Sequence, residues 1–427
     1  MTPPTDGPTQ LSPARTRLAL LALALGGFGI GSTEFVAMGL LPNLAHDLLP
    51  ALYATSHADA NAQAGLLISA YALGVVVGAP TIAALAARWP RKRLLLGLLI
   101  TFTLGTVASA LAPTFGLVLL ARFICGLPHG AYFGIASLVA ASLMGPGKRG
   151  RGVAFVLSGL TIANVIGVPS ITWLGQQAGW RAAYLVVAAI FAATFVAVLA
   201  AVPLQPGNPK ATFRRELLAF GRLQVWFALA VGAIGFGGFF ALYTYIAPIV
   251  TDVAGLPELA VPLTLVVVGL GMTVGNVLGG WMADRSVQRT MLLFFGVLIA
   301  ALIWLGFTAQ LPAALFAGVF LVGGASAAIS PAIQTRLMDV ARDSQSIAAA
   351  LNHSALNIGN SLGAYLGGVV IAAGLGYRAP VWVGLGVSVL GLALAVATFG
   401  LDRSRRRRGI AVLPQTGGVP TVPVSAV

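Results

Sequence analysis

The feature that most constrains this chain is a series of twelve apolar runs, most of them long enough to cross a bilayer. They span residues 18–41, 64–87, 94–112, 116–144, 152–174, 182–203, 223–247, 261–283, 290–308, 313–337, 346–373 and 380–401. A helix needs about 20 apolar residues to span the hydrocarbon core. Only 8% of the 427 residues are charged, whereas a soluble domain carries roughly 25%. We therefore predict an all-α, polytopic membrane protein with twelve transmembrane helices.

The net charge of +14 does not indicate a nucleic-acid partner, because the basic residues lie in short clusters between the apolar runs. If the N-terminus is cytoplasmic, 22 of the 25 Lys and Arg residues fall on the cytoplasmic side. Only Arg181 and Arg378 lie in loops on the other side, and Arg122 lies inside a run. Basic residues concentrate in cytoplasmic loops. The pattern predicts a multi-pass protein of the cell membrane with both termini in the cytoplasm.

The apolar runs divide into two sets of six around the longest hydrophilic break within the membrane region. We predict a cytoplasmic N-terminal tail at 1–17, a six-helix bundle at 18–203, a cytoplasmic linker at 204–222, a second bundle at 223–401 and a basic cytoplasmic tail at 402–427. The first run is long and lacks a clear small-residue cleavage site, so we expect no signal peptide.

Several landmarks of the first half recur 196 or 197 positions later in the second half. The pairs are Gly74 with Gly271, Gly78 with Gly275, Arg181 with Arg378, and Asn164 with Asn360. Transporters built from two such repeats bind substrate at the repeat interface, near the bilayer midplane. The repeat predicts two pseudo-symmetric bundles with a substrate path between them.

Five segments carry a family resemblance that runs nearly end to end. They read GSTEFV at 31–36, MGLLP at 38–42, YALGVVVGAP at 71–80, RFICGLPHGAYFG at 122–134 and SGLTIANVIGVP at 158–169. The chain resembles the drug–proton antiporter branch of the major facilitator superfamily (MFS), and within it the arabinose-efflux-permease-like group. The resemblance implies the MFS fold and transport by alternating access, driven by the proton gradient without a cofactor. We also expect the carrier to be a monomer.

The loop after the second run resembles the superfamily signature G-x-x-x-D-R-x-G-R-R, but Ala87 replaces its acid and Pro90 its second glycine. In the family this loop helps to hold the cytoplasmic side shut. The missing acid weakens any ion-pair latch in the first copy. The matching positions, which we predict as a gating loop, are Arg88, Arg91 and Lys92 in the first copy and Asp284 and Arg285 in the second.

Glu34 is the one of the eleven acidic residues that lies well inside an apolar run. An ionisable residue within the membrane is costly and marks a functional site by default. We predict that Glu34 binds and releases the coupling proton; a structural, hydrogen-bonded acid is the alternative. Arg122, also in mid-run, lies roughly 10 Å from the membrane surface and Glu34 roughly 12 Å from the same surface at 1.5 Å rise per residue. The two could meet directly or through water, or form a purely structural salt bridge.

His129 follows Arg122 by seven residues, so it lies on the same helical face. Its imidazole could relay a proton, or it could bind a carbonyl freed at a kink beside Pro128. His353, Asn357 and Asn360 form a second polar stripe, for which helix packing is the favoured interpretation.

We predict a substrate cavity lined mainly by aromatic and amide side chains. Its candidate residues are Phe35, Met38, Tyr132, Asn164, Phe236, Phe239, Tyr243, Gln334 and Asn357. Few polar groups and several aromatics favour a small amphipathic compound over a heavily hydroxylated sugar. We predict proton-coupled efflux of a small amphipathic compound, drug or sugar; the alternative is proton-linked or facilitative uptake. The sequence contains no Walker A, zinc-protease or metal-ligand motif, so we expect neither an enzyme nor a metal site.

Overall fold

The computed structural model of the protein describes residues 12–86, 88–145, 148–206, 223–341 and 345–407. Within these ranges there is no strand, and twelve helices are long and apolar enough to cross a membrane. Helices 1 to 6 are Pro13–Gly39, His57–Ile82, Arg91–Leu111, Phe115–Met144, Arg151–Ala178 and Trp180–Ala201. Helices 7 to 12 are Leu223–Thr244, Ala260–Ala283, Val287–Thr308, Pro312–Val340, Leu351–Leu375 and Ala379–Leu401.

Helix 1 begins earlier than the predicted start at residue 18. The Ser12 side chain accepts a hydrogen bond from the Arg15 backbone N–H at 3.3 Å, and Pro13 occupies the first turn. A capping serine followed by proline is a helix-start signal that hydropathy does not register. At the other end of the chain, helical structure continues past residue 401 to Arg407. Most of the predicted linker and basic tail lies outside the described residues.

Helices 2, 4 and 5 are interrupted where the sequence offers a glycine or a proline. Helix 2 starts at His57, earlier than predicted, and turns at Gly65 before it continues. Helix 4 breaks before Pro128 and resumes at His129. Helix 5 has a π-helical turn at Ala163–Gly167, directly before Pro169. Proline lacks the N–H that would continue the ladder, so the backbone shifts register around it.

Glycines at repeat-related positions join helices 2 and 4 in one bundle and helices 8 and 10 in the other. A Cβ on Gly78 would lie 2.0 Å from the Leu127 carbonyl oxygen, and one on Gly275 would lie 1.9 Å from that of Gly324. The two partners are again 197 positions apart. Small residues allow backbones to approach this closely. The sequence repeat therefore corresponds to a repeated helix contact.

The molecule has two chemically different ends. The short-helix end carries the helices Leu41–Leu48 and Pro50–Thr55 between helices 1 and 2. The basic end, opposite to it, carries Arg88, Arg91 and Lys92 between helices 2 and 3.

One acid, Asp47, joins neighbouring segments of the first bundle at the short-helix end. Asp47 accepts a hydrogen bond from Trp180 Nε1 at 2.9 Å and pairs with Arg181, which also donates to the Ala112 carbonyl at 3.4 Å. Partial burial acts to raise the pKa of Asp47, but the hydrogen bonds from Arg181 and Trp180 outweigh it and hold that pKa below its usual value. In the second bundle Arg378 likewise donates to a carbonyl near the end of helix 9.

Hydrogen bonds between the two bundles, among the residues that the structure describes, lie between the middle of the spans and the short-helix end. They join Asn61 to Tyr377 (2.7 Å), Gln176 to the Glu258 carbonyl (3.0 Å), Ser69 to the Ser361 carbonyl (3.2 Å) and Asn360 to Glu34 (3.4 Å). These bonds hold the two bundles together, so the space between them is closed at the short-helix end.

Candidate functional site

The candidate site is centred on Glu34, which helix 1 places where the two bundles meet. Its side chain is buried, and its Oε1 accepts a hydrogen bond from Asn360 Nδ2 of helix 11 at 3.4 Å. Its Oε2 lies 4.0 Å from Nδ1 of His129 on helix 4. A carboxyl group buried at this depth needs partners or a proton, because an unpaired charge is costly there.

His129 links Glu34 to two further helices. Its Nδ1 lies 3.1 Å from the Tyr71 hydroxyl on helix 2. Its ring lies 5.6 Å from that of His353 on helix 11, which stacks on Phe133 at 5.1 Å. The break before Pro128 positions His129 at the start of the second half of helix 4. Tyr71, His129 and Glu34 thus form a line of polar groups that ends at the second bundle.

Arg122 contacts the backbone of helix 1 next to Glu34 and not the Glu34 carboxyl group. Its Nη1 donates to the Thr33 carbonyl at 2.8 Å, and its guanidinium lies 4.5 Å from the centre of the Tyr71 ring. It is only 1% exposed, and its Nε and Nη2 have no hydrogen-bond partner among the described residues. Within that part of the chain, the ion-pair contact of Glu34 within 4.0 Å is with His129 rather than Arg122. The direct Glu34–Arg122 pair considered from the sequence is not formed in this structure.

An aromatic cluster adjoins the acid. Phe35, the residue after Glu34, lies 5.8 Å from the Tyr243 ring and 6.4 Å from the Phe240 ring of helix 7. Phe239 stacks on Tyr243 at 4.8 Å. Because helix 1 and helix 7 belong to different bundles, these rings form an apolar wall of the interface beside Glu34.

A family model described as the Major Facilitator Superfamily matches residues 23–286 and 258–418. The chain belongs to the major facilitator superfamily. Within it, the chain is 40% identical over 376 residues to the inner membrane transport protein YdhP of Escherichia coli (strain K12), covering 88% of this chain and 94% of that protein. It is 33% identical over 384 residues to a chloramphenicol resistance protein of Streptomyces lividans, and the match covers 89% of this chain and 94% of that protein.

The fold agrees with solved structures of MFS carriers. A crystal structure of a D-xylose-proton symporter superposes with a TM-score of 0.71 at 17% identity, covering 89% of this chain and 97% of that one. The chain is therefore an MFS secondary transporter of small molecules, not an enzyme, and a multi-pass inner-membrane protein. The sequence prediction of fold and family is confirmed.

The residues predicted to line the MFS substrate cavity do not form one group. Phe35, Phe239 and Tyr243 belong to the aromatic cluster beside Glu34. Tyr132 instead donates to the Leu23 carbonyl at 3.0 Å, so it joins helices 1 and 4 inside the first bundle. This explains why it is fully buried without reaching the second bundle.

The other predicted cavity residues lie at helix crossings. Asn164 is in the π-helical turn of helix 5, and its carbonyl lies where a Cβ on Gly269 of helix 8 would be. Phe236 packs against Gly359, and Asn357 donates to the carbonyl of His353 on its own helix at 3.0 Å. Met38 is buried near the end of helix 1, and Gln334 is half-buried on helix 10.

Most of the predicted gating residues have partners in their own bundle. Arg91 donates to Gln205 at 3.5 Å, and Lys92 donates to the Leu199 carbonyl of helix 6 at 2.8 Å. Arg285 donates to the Trp281 carbonyl and lies over the Trp281 ring. Arg88 and Asp284 are exposed at the same end. In this state Lys92 joins the start of helix 3 to helix 6, Arg91 contacts the segment after helix 6, and Arg285 stays on the end of helix 8. The latch across the basic end stays a prediction.

Two residues of the site were not assigned to it from the sequence. Tyr71 lies within the quoted segment at 71–80, and its hydroxyl is the partner of His129. Asn360 was interpreted as a packing residue, and it is the hydrogen-bond partner of Glu34. The repeat was the sequence signal that could have identified Asn360, because Asn360 is at the position of the second half that is equivalent to Asn164 of the first.

Proposed function

We propose that this MFS transporter exports a small amphipathic compound in exchange for protons, with Glu34 as the proton-carrying group. The observation that supports this most directly is that Glu34 lies where the two bundles meet. Glu34 is 5% exposed, and it accepts a hydrogen bond from Asn360 of the opposite bundle. An acid held there experiences a different environment each time the bundles rearrange. Exchange requires that proton and substrate favour different states or compete for one site.

The proposed cycle assigns the basic end to the cytoplasm, because basic loops stay on that side. The structure is then closed on the outer side. Glu34 takes a proton from outside while that side is open, and the bundles close over it. When the cavity opens inward, Glu34 gives up the proton and substrate binds. The carrier works as a monomer and uses the proton gradient without a cofactor.

The substrate class follows from the walls of the interface. Phe35, Phe239, Phe240 and Tyr243 supply apolar area next to a single acid. A sugar requires many placed hydrogen bonds, which aromatic rings do not provide. The name of the Streptomyces lividans relative, a chloramphenicol resistance protein, also favours export of a drug-like compound.

Inside-out vesicles with an acidic lumen test this proposal. Candidate drugs and sugars are added while a lumenal dye reports pH. Antiport predicts that a transported compound makes the lumen more alkaline, with vesicles that lack the protein as the control. Substrate entry with no proton movement would contradict coupling, and robust uptake into whole cells would replace export with the uptake alternative.

A further inference from the structure

Asn360 is a buried amide whose nitrogen forms a hydrogen bond and whose oxygen does not, within the part of the chain that the structure describes. Its side chain is 0% exposed and its Nδ2 donates to Glu34 Oε1 at 3.4 Å, while its Oδ1 has no hydrogen-bond partner among the described residues. Buried polar atoms in native proteins are rarely left unsatisfied. The amide therefore faces the acid with an unused acceptor.

We propose that Asn360 is the positioning residue through which the second bundle detects whether Glu34 carries a proton; this rests on the proposed function. A protonated carboxyl has one acceptor oxygen and one O–H donor, which complement the N–H and C=O of an amide. It therefore accepts from Nδ2 and donates to Oδ1, and both groups are satisfied. An ionised carboxylate can only accept, so Oδ1 remains unsatisfied. Protonation thus adds a second hydrogen bond between helices 1 and 11 and satisfies the buried Oδ1.

Arg122 supplies the competing partner. It belongs to the same bundle as Glu34 and donates to the carbonyl of Thr33, the residue before Glu34. Two of its nitrogens have no hydrogen-bond partner within the described part of the chain. An ionised Glu34 gains more from this guanidinium than from the amide, because the guanidinium adds an opposite charge and can donate two parallel hydrogen bonds, whereas the amide is neutral. Loss of the proton therefore moves the carboxylate from Asn360 toward Arg122. The second bundle is then released.

The other groups around Glu34 do not distinguish the two bundles in this way. The titratable and charged groups that face it are His129 and Arg122 of helix 4, Tyr71 of helix 2, Tyr243 of helix 7 and His353 of helix 11. His129, Arg122 and Tyr71 move with Glu34 in the first bundle. His353 contacts His129 and Phe133, and Tyr243 contacts Phe35, rather than hydrogen-bonding the acid. At the repeat-related position, the contact of Asn164 with Gly269 of the second bundle is made by its backbone carbonyl.

The test measures closure and proton binding separately. Spin labels on cysteines at Gln177 and Leu311, which are exposed in different bundles at the short-helix end, report the distance between bundles in a Cys125→Ala background. The wild type is measured from pH 5 to 9 in lipid nanodiscs. We expect the closed-to-open ratio to fall about fivefold as Glu34 loses its proton, the effect of about one buried hydrogen bond. A pH titration that compares wild type with Glu34→Gln counts the proton bound by Glu34.

Asn360→Ala is expected to lose the pH dependence of the distance while Glu34 still binds its proton. Glu34→Gln, whose amide can both donate to and accept from Asn360, is expected to stay closed at every pH. Asn352→Ala removes another buried asparagine of helix 11 and should behave as wild type. A wild-type pH response in Asn360→Ala, or pH-independent closure in the wild type, would overturn the role of Asn360. Absence of a proton bound by Glu34 would instead refute the proposed function.

Discussion

The hydrogen bond between Asn61 and Tyr377 offers a direct way to perturb closure at the short-helix end. Asn61 Nδ2 donates to the Tyr377 hydroxyl at 2.7 Å across the two bundles, and Asn61 is only 2% exposed. Tyr377→Phe removes the acceptor and keeps the ring. Since Asn61 Oδ1 already has no partner among the described residues, the substitution leaves the whole amide of Asn61 without its cross-bundle bond.

A net intramolecular hydrogen bond is worth about 1 kcal/mol, which corresponds to about a fivefold change in the closed-to-open ratio. We expect Tyr377→Phe to lower that ratio by this factor at every pH between 5 and 9. Burial, together with the nearby Asp252, Tyr53 and Asp59, raises the pKa of Tyr377 to about 12, despite its hydrogen bond with Asn61. The phenol therefore stays neutral over this range, and any pH dependence of closure must come from another group.

Spin-label distances between Gln177 and Leu311 measure the ratio. The matched control is Tyr365→Phe, on helix 11 but 55% exposed, which should leave the distances unchanged. An unaltered ratio in Tyr377→Phe would refute the inference that this contact holds the short-helix end closed. A change that appears only at high pH would refute the assignment of a neutral phenol.

Two further predictions concern stability. Gly78→Val should destabilise the protein by about 1–3 kcal/mol, because its Cβ would lie 2.0 Å from the Leu127 carbonyl oxygen. Gly296→Val, where a Cβ meets nothing within 4 Å, should not destabilise it. Thermal unfolding in detergent compares the two variants, and equal losses of stability would contradict the packing argument. The pKa of Asp47 is lowered in the folded protein, so its contribution is present above the unfolded pKa near 3.9 and is lost as pH falls through the folded value. The wild type should therefore lose stability below about pH 4, by less than about 1 kcal/mol because the Asp47–Arg181 pair is partly exposed. Asp47→Asn should not show this loss, and an identical pH profile of stability in the wild type and Asp47→Asn would contradict the prediction.

Most of the architecture could be predicted from the sequence, because lipid imposes a length and an apolar composition on every span. The repeat paired Gly78 with Gly275, and in the structure both glycines make the same close helix contact. Helix ends were less accurate. The start at Pro13 depended on a serine cap, and the start of helix 2 at His57 lies in a polar segment that hydropathy assigns to a loop.

The candidate site was predicted only in part. The rarity of acids in apolar runs identified Glu34, and equal depth brought Arg122 into consideration. Which atoms bond depends on helix rotation and rotamers, so the sequence did not predict that Arg122 would bind the Thr33 carbonyl while Asn360 would bind the acid. Likewise, spacing could not distinguish Tyr132, which joins two helices of one bundle, from Tyr243 at the interface.

Substrate-driven proton flux is the most direct measurement of whether Glu34 carries the coupled proton. A transported compound is added to acid-loaded inside-out vesicles that contain wild type, Glu34→Gln or the control Glu258→Gln, an acid outside the spans. We expect lumenal alkalinisation in the wild type and in Glu258→Gln and none in Glu34→Gln, which should still bind the compound. Wild-type alkalinisation in Glu34→Gln would contradict this expectation.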